Sequence, residues 1–137
     1  MIVLADTGPL YALVDASDAW HARVLAWWEE HGASVVVPVV VLPEVTYLLQ
    51  KRIGSAAEEA FVRAVGDGEF TLEELEPEDL RRAADVMERY NDFPLGFVDA
   101  ALVAMAERLE TRDILTTDRR HFGALRPKHA RTFTLLP

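Results

Sequence analysis

Cysteine is absent from the 137 residues, and lysine is scarce, with only Lys51 and Lys128. The first absence excludes a disulfide scaffold and a cysteine-based zinc site, and fits a reducing compartment such as the cytoplasm. Long apolar runs are missing too. The longest uncharged stretch, "GASVVVPVVVLP", contains two prolines and falls far short of the roughly 20 residues a spanning helix requires. No basic leader precedes the four apolar residues after Met1, so the expectation is a cytoplasmic chain with no membrane partner. Positive charge is in deficit: Lys and Arg number 14 against 23 acids, a formal net charge of −9. That balance argues against a simple basic groove for nucleic acid, whose binding normally rests on Lys and Arg. The charge is unevenly placed, however. Seven acids and no base lie between Asp67 and Asp79, whereas six bases lie between Arg112 and Arg131 against two acids.

Half of the residues are hydrophobic and 27% are charged, the balance of one globular domain over residues 1–137. "MIVLAD" reads as a short buried strand, stopped at Asp-Thr-Gly-Pro. "GPLYALVD" reads as a short helix with Asp6 or Thr7 as N-cap and Pro9 in its first turn. "SDAWHARVLAWWEEHG" predicts a helix capped by Asp18 and ended at Gly32, its tryptophans packing in the core or an interface. "SVVVP" predicts a second strand, followed by a helix from about Val41 to Ile53 that tolerates Pro43 only in its first turn. A helix over "SAAEEAFVRAVGDG", an edge strand over "FTLEEL" and an amphipathic helix from Pro77 follow. In "FVDAALVAMAERLE" only Asp99 is polar between Phe97 and Ala106, which predicts a helix buried nearly all round. "DILTTD", a short basic helix over "RRHFGAL" and a strand over "RTFTLL" close the chain. Strands alternating with helices imply an α/β fold with a mainly parallel sheet covered on both faces.

Asp6, Glu44, Asp99 and Asp118 all fall at strand ends or helix starts. In open parallel sheets, that is where ligands bind, outside the carboxyl ends of the strands. Each acid has a plain structural alternative: Asp6 and Asp118 as helix caps, Glu44 as a dipole-favoured surface residue. Asp99 is the exception, because a charge on a buried helix needs a partner and its neighbours Phe97, Val98, Ala100 and Ala101 supply none. If the carboxylates meet, each pair about 4 Å apart repels by roughly 4 kcal/mol at an effective dielectric of 20. Protons or a cation must then occupy the site. Oxygen donors without cysteine or paired histidine favour Mg²⁺ or Mn²⁺ over zinc, and metal-assisted phosphodiester hydrolysis follows. His21, His31, His121 and His129 show no metal-ligand spacing on one helix, and surface or capping roles are expected of them.

Asp-Thr-Gly also occurs in aspartic proteases, but those need two such segments in a β-rich fold, and this chain has one. A haloacid-dehalogenase-type phosphatase needs an acid where Gly8 stands, and a phospho-receiver needs a lysine after a late strand. In order, "LADTGPL", "PEVTYLL", "PLGFVDAALVAMAERL" and "ILTTDRRHFGALRP" resemble the PIN (PilT N-terminal) domain, and specifically VapC-like toxins of type II toxin–antitoxin modules. The resemblance covers essentially the whole chain. It implies a three-layer α/β/α fold and a Mg²⁺- or Mn²⁺-dependent endoribonuclease leaving 5′-phosphate and 3′-hydroxyl ends. It also implies a homodimer and inhibition by a VapB-type antitoxin. The family's acids map onto Asp6, Glu44, Asp99 and Asp118 as catalytic metal ligands, and its hydroxyls onto Thr7 and Thr116, which orient carboxylates or phosphate. Many relatives carry a further acid nearer the third one than Asp92 stands here.

Arg119, Arg120, Arg126 and Lys128 flank the last acid. They read equally as RNA-backbone contacts and as a solvated edge or a contact for an acidic partner. The apolar faces of the helices around Leu42–Ile53 and Ala56–Val65 suit the dimer, the antitoxin or core packing. Two alternatives stand beside the toxin: an RNA-processing nuclease of the same family with no antitoxin, and a binding module with an inactive site. A small VapB-like reading frame upstream separates the first from the toxin. Divalent-cation stabilisation separates the second from either enzyme.

Overall fold

Five short strands form the centre of the computed structural model, which describes residues 1–137. They are β1 (Val3–Ala5), β2 (Val35–Pro38), β3 (Thr71–Glu73), β4 (Asp113–Leu115) and β5 (Thr134–Leu136), paired in the order β3-β2-β1-β4-β5. All pairs are parallel, with Leu4 of β1 opposite Val36 on one side and Ile114 on the other. Parallel neighbours cannot be joined by a tight hairpin, so helices carry the crossovers. These are α1 (Thr7–Val14), α2 (His21–His31), α3 (Leu42–Arg52), α4 (Ser55–Gly66), α5 (Pro77–Arg89), α6 (Phe97–Arg108) and α7 (Arg119–Ala124). The result is a three-layer α/β/α fold, as the alternation of the sequence implies, with a sheet that is wholly parallel. No helix is long and apolar enough to cross a membrane.

Position in the sheet follows from side-chain chemistry. Central β1 is buried along its length, whereas edge strand β3 leaves Thr71 and Leu72 exposed. α6 is buried from Ala100 through Met105 to Ala106. Its alanines let it sit close between the sheet and α5, with Leu102 and Met105 filling the core beside Leu4, Ile114 and Phe122. Pro43 falls in the first turn of α3, where its missing N–H costs nothing. α2 starts later than its sequence suggests. Asp18 spends its side-chain oxygen on the Trp20 N–H at 2.8 Å, making a turn before the helix rather than a cap on it. Trp27 and Trp28 pack against the core as expected, but Trp20 stands outside that cluster.

The α5–α6 seam carries the chain's best-buried charge. Asp79 is 2% exposed; it accepts from Arg108 Nη2 at 3.0 Å and caps α5 by accepting from Glu76 N at 2.9 Å. Arg82 Nε donates to Glu107 at 2.7 Å one turn away. Breaking a buried pair from one side leaves an uncompensated charge. Arg108→Met is therefore expected to lower stability by about 3 kcal/mol or more, whereas Arg63→Met, whose partner Glu59 is exposed, should cost under about 1 kcal/mol. Urea unfolding of the two variants checks the contrast.

Candidate active site

The carboxyl ends of β1, β4 and β5 lie in one row. Asp6 N donates to Leu115 O at 2.9 Å, and Thr116 N donates to Leu136 O at 2.8 Å, so each strand's exit residue is pinned to its neighbour. Asp6 leaves β1 as the N-cap of α1, and both its oxygens are engaged. Oδ1 accepts from Thr7 N at 2.8 Å, and Oδ2 accepts from the Thr116 hydroxyl at 2.9 Å. The Thr7 hydroxyl donates to Glu44 Oε1 at 2.6 Å, tying the first turn of α3 to the end of β1. Thr116 serves twice, since its hydroxyl also accepts from Asp118 N at 2.9 Å. Thr7, through its backbone N–H and its hydroxyl, thus joins Asp6 to Glu44, and the Thr116 hydroxyl joins Asp6 to the Asp118 backbone.

Asp118 is the N-cap of α7, accepting from His121 N at 3.0 Å. Its Oδ2 lies 2.5 Å from His121 Nδ1, which in turn lies 3.8 Å from Asp99 Oδ2. Asp99 sits in the first turn of α6, where the buried face of that helix meets the row. Gly8 packs against the loop carrying Thr116 and Asp118. A Cβ there would fall 2.2 Å from the Thr117 hydroxyl oxygen, so a larger residue would force that hydroxyl to turn away.

The electrostatics follow from crowding. Burial pushes the Asp6 carboxyl above its ordinary value, and the charges of Glu44 and Asp118 add to that rise. Hydrogen bonds from Thr7 N and Thr116 oppose it. Asp99 is pushed up to about 6, chiefly by burial and then by the Asp6 charge, with Asp118 and Glu44 adding and His121 opposing. Asp6 and Asp99 therefore both feel the charges of Glu44 and Asp118.

That space suits a divalent cation on the chemistry of its donors. Asp99, Asp118 and His121 can each offer an atom within 4.8 Å of the others. Asp6 and Glu44 complete the negative wall without belonging to that tight set of three. A cation there would offset the charges of Asp6, Asp118 and Glu44 that add to the burial-driven rise at Asp99, and the carboxylates among these donors suit Mg²⁺ or Mn²⁺.

His121 is the residue that sequence reasoning misses. The lack of a second histidine on its helix points to a surface or capping role, and the structure places it instead between two of the acids. Its spacing from Asp118 carries the signal: three residues beyond an N-cap aspartate, a side chain lies over that carboxylate. The basic residues divide. Arg119 donates to Pro137 O at 2.6 Å and Arg126 to Gly123 O at 2.7 Å. Arg120 and the Lys128 ammonium are exposed and take no acceptor from the chain, although Lys128 N donates to Glu107. Asp92 is exposed and makes no bond to the four acids.

Comparison with known proteins bears on this arrangement. A family model described as the PIN domain matches residues 3–126. Ribonuclease VapC26 of Mycobacterium tuberculosis (strain ATCC 25618 / H37Rv) is 38% identical over 135 residues, spanning 98% of this chain and 100% of that protein. Among solved structures, M. tuberculosis VapC20, a toxin cleaving the sarcin–ricin loop, superposes with a TM-score of 0.82 at 22% identity. That match covers 94% of this chain and 98% of VapC20. DNA-bound VapBC from Salmonella typhimurium superposes at 0.71 and 14% identity, covering 98% of each chain. The two structures share the fold.

A carboxyl raised by folding holds its proton more tightly in the native state than in the unfolded chain. Asp99 therefore favours folding below its ordinary value of 3.8, and that contribution is lost as pH rises through about 6. Asp99→Asn is expected to raise the melting temperature of the chelator-treated protein at neutral pH, by the equivalent of at most about 3 kcal/mol. The gain should shrink as pH falls below about 6. Thermal melts across pH check this, and a variant no more stable than the parent at neutral pH would contradict it.

Proposed function

The chain belongs to the PIN-domain family, and on that premise we propose that it is a Mg²⁺- or Mn²⁺-dependent endoribonuclease toxin neutralised by a VapB-type antitoxin. The observation that carries the reading is the meeting of Asp6, Glu44, Asp99 and Asp118, drawn from four separate segments, at the carboxyl end of the sheet. Nothing in folding alone requires this, since burial, together with the charges of the other acids, raises Asp99 and costs stability. The ribonuclease activity named for the 38% identical relative supports RNA as the substrate. The toxin–antitoxin pairing named for the Salmonella structure supports the antitoxin. A homodimer is proposed on family analogy.

In this reading Asp99 and Asp118 hold the cation, with Asp6 and Glu44 around it directly or through water. When bound, a divalent cation neutralises charge on the scissile phosphate and lowers the pKa of water. The chain's own contribution is alignment. Thr116 fixes the Asp6 carboxylate from one side and the Asp118 backbone from the other. Thr7 turns Glu44 toward the same space. His121 holds Asp118 Oδ2 and moderates the charge on Asp99. The carboxylates accept the proton released by the attacking water. Arg120, exposed one residue from Arg119 and two from Asp118, is free to meet the RNA backbone, whereas Lys128 is held through its backbone N–H by Glu107, two turns along α6 from Asp99 and away from the cluster.

Purified protein should cut single-stranded RNA with Mg²⁺ or Mn²⁺ and not with chelator, leaving 5′-phosphate ends. Asp6→Asn and Asp99→Asn should fall to background while keeping the parent's circular dichroism spectrum. Undiminished cutting by both would sink the assignment. Thr116→Ala, which removes an alignment rather than a ligand, should keep measurable activity reduced by about 10–100-fold.

A further inference from the structure

Trp20 is the tryptophan that folding leaves unused. It precedes α2, stays outside the core cluster that takes Trp27 and Trp28, and its indole N–H donates to no acceptor in the chain. Two arginines lie against it instead. The guanidinium carbon of Arg23 is 5.0 Å from the ring centroid and that of Arg119 is 5.8 Å, both within cation–π range. Both side chains are anchored on the same oxygen, Pro137 O, at 3.1 Å from Arg23 and 2.6 Å from Arg119. Arg119 Nη1 also reaches Leu135 O at 3.4 Å.

Charge makes this cluster unusual. The chain carries 23 acids against 14 bases, yet no Asp or Glu side chain lies within ion-pair distance of either guanidinium, and the two guanidiniums share one oxygen of the last residue, Pro137. Each guanidinium has five N–H donors, of which these contacts use one on Arg23 and two on Arg119. Both residues are exposed.

The position matters as much as the chemistry. Pro137 follows β5 beside Thr116, which follows β4 beside Asp6. Neighbouring strands are about 4.8 Å apart, so the Pro137 backbone that anchors the cluster stands about 10 Å along the row from Asp6. Arg119 is covalently next to Asp118. One continuous strand of nucleic acid can touch both places.

We propose that Trp20, Arg23 and Arg119 form a subsite for single-stranded RNA, one that flanks the acid cluster and holds the substrate beside the cleaved bond. The guanidiniums, preorganised on the ring and on the Pro137 carbonyl, contact backbone phosphate, and the open part of the indole takes a base. Aromatic rings beside cations are the sequence-tolerant means of holding single strands. The subsite also gives an acidic protein a local positive surface on the side where its substrate must enter. This proposal rests on the ribonuclease reading above.

The test is binding rather than cleavage. Fluorescence anisotropy of a short labelled single-stranded RNA of mixed sequence would be measured on full-length protein carrying Asp6→Asn to prevent turnover. Adding Trp20→Ala should raise Kd about tenfold, and Trp20→Phe should recover most of that loss. Replacing Arg23 or Arg119 by Gln should lower the slope of log affinity against log salt by about 0.7 for each phosphate no longer neutralised. Circular dichroism melts confirm that each variant is folded. Unchanged Kd and salt slope in every variant, with RNA still bound by the parent, would overturn the subsite and leave the ribonuclease reading standing. No RNA binding by the parent would overturn both. Loss of binding to a protein partner, with RNA affinity intact, would overturn the subsite and assign the surface to that partner instead.

Discussion

Everything at the active end of this molecule depends on a buried carboxylate that is hydrogen-bonded on both oxygens and still in excess. Asp6 closes the central strand, caps the first helix and accepts the Thr116 hydroxyl from the next strand's exit. A neutral residue of similar shape would serve the cap nearly as well, since Asn and Asp rank together at that position. The acid therefore costs something that capping does not return. Burial raises its carboxyl, and its charge is the leading electrostatic cause of the rise at Asp99.

The scaffold is arranged to make that crowding tolerable and geometrically fixed. A parallel sheet brings all strand exits to one end, and the pinning of Asp6 to Leu115 and Thr116 to Leu136 sets their register there. Gly8 brings α1 within contact distance of the β4–α7 loop. Small alanines on α6 let Asp99 approach the same point from the other layer. The strain is electrostatic rather than steric, and the folded chain sustains it through a core cluster of 23 buried residues and the shielded Asp79–Arg108 pair. A divalent cation, were one bound there, would turn the same repulsion into affinity and stabilise the native state.

How much of this is legible in the residues alone depends on what kind of signal each feature leaves. The strands, and the helix buried all round, are legible because continuous apolar runs and missing charges are local patterns. Asp99 stands out for the same reason, as the one polar residue in an apolar helix. His121 does not stand out by itself, because its significance lies in the fold of α7 over the Asp118 cap, and only its spacing from that cap hints at it. Asp18 misleads in the opposite sense. Its sequence context suits a helix cap, but an aspartate's short side chain can satisfy an N–H in a preceding turn equally well, and here it does. Arg119 is legible as a base beside an acid, whereas its attachment to Pro137 requires knowing that β5 lies next to β4.

The net charge of −9 takes on a different meaning once the charges are placed. Part of the acidic excess is concentrated from Asp67 to Asp79, around β3 at one edge of the sheet. Arg23 and Arg119, which no Asp or Glu side chain pairs, collect beside β5 at the other. Coulomb interactions among exposed groups fade over a Debye length of roughly 8 Å at physiological salt. A polyanion approaching the β5 edge is therefore shielded from the far acids and meets the near arginines and whatever cation the carboxylates hold. Overall charge governs solubility and long-range steering, but chemistry at the row of strand ends is governed by what lies within that screening distance. An acidic chain and a phosphate-cutting site are compatible because the sheet's width separates the two populations of charge.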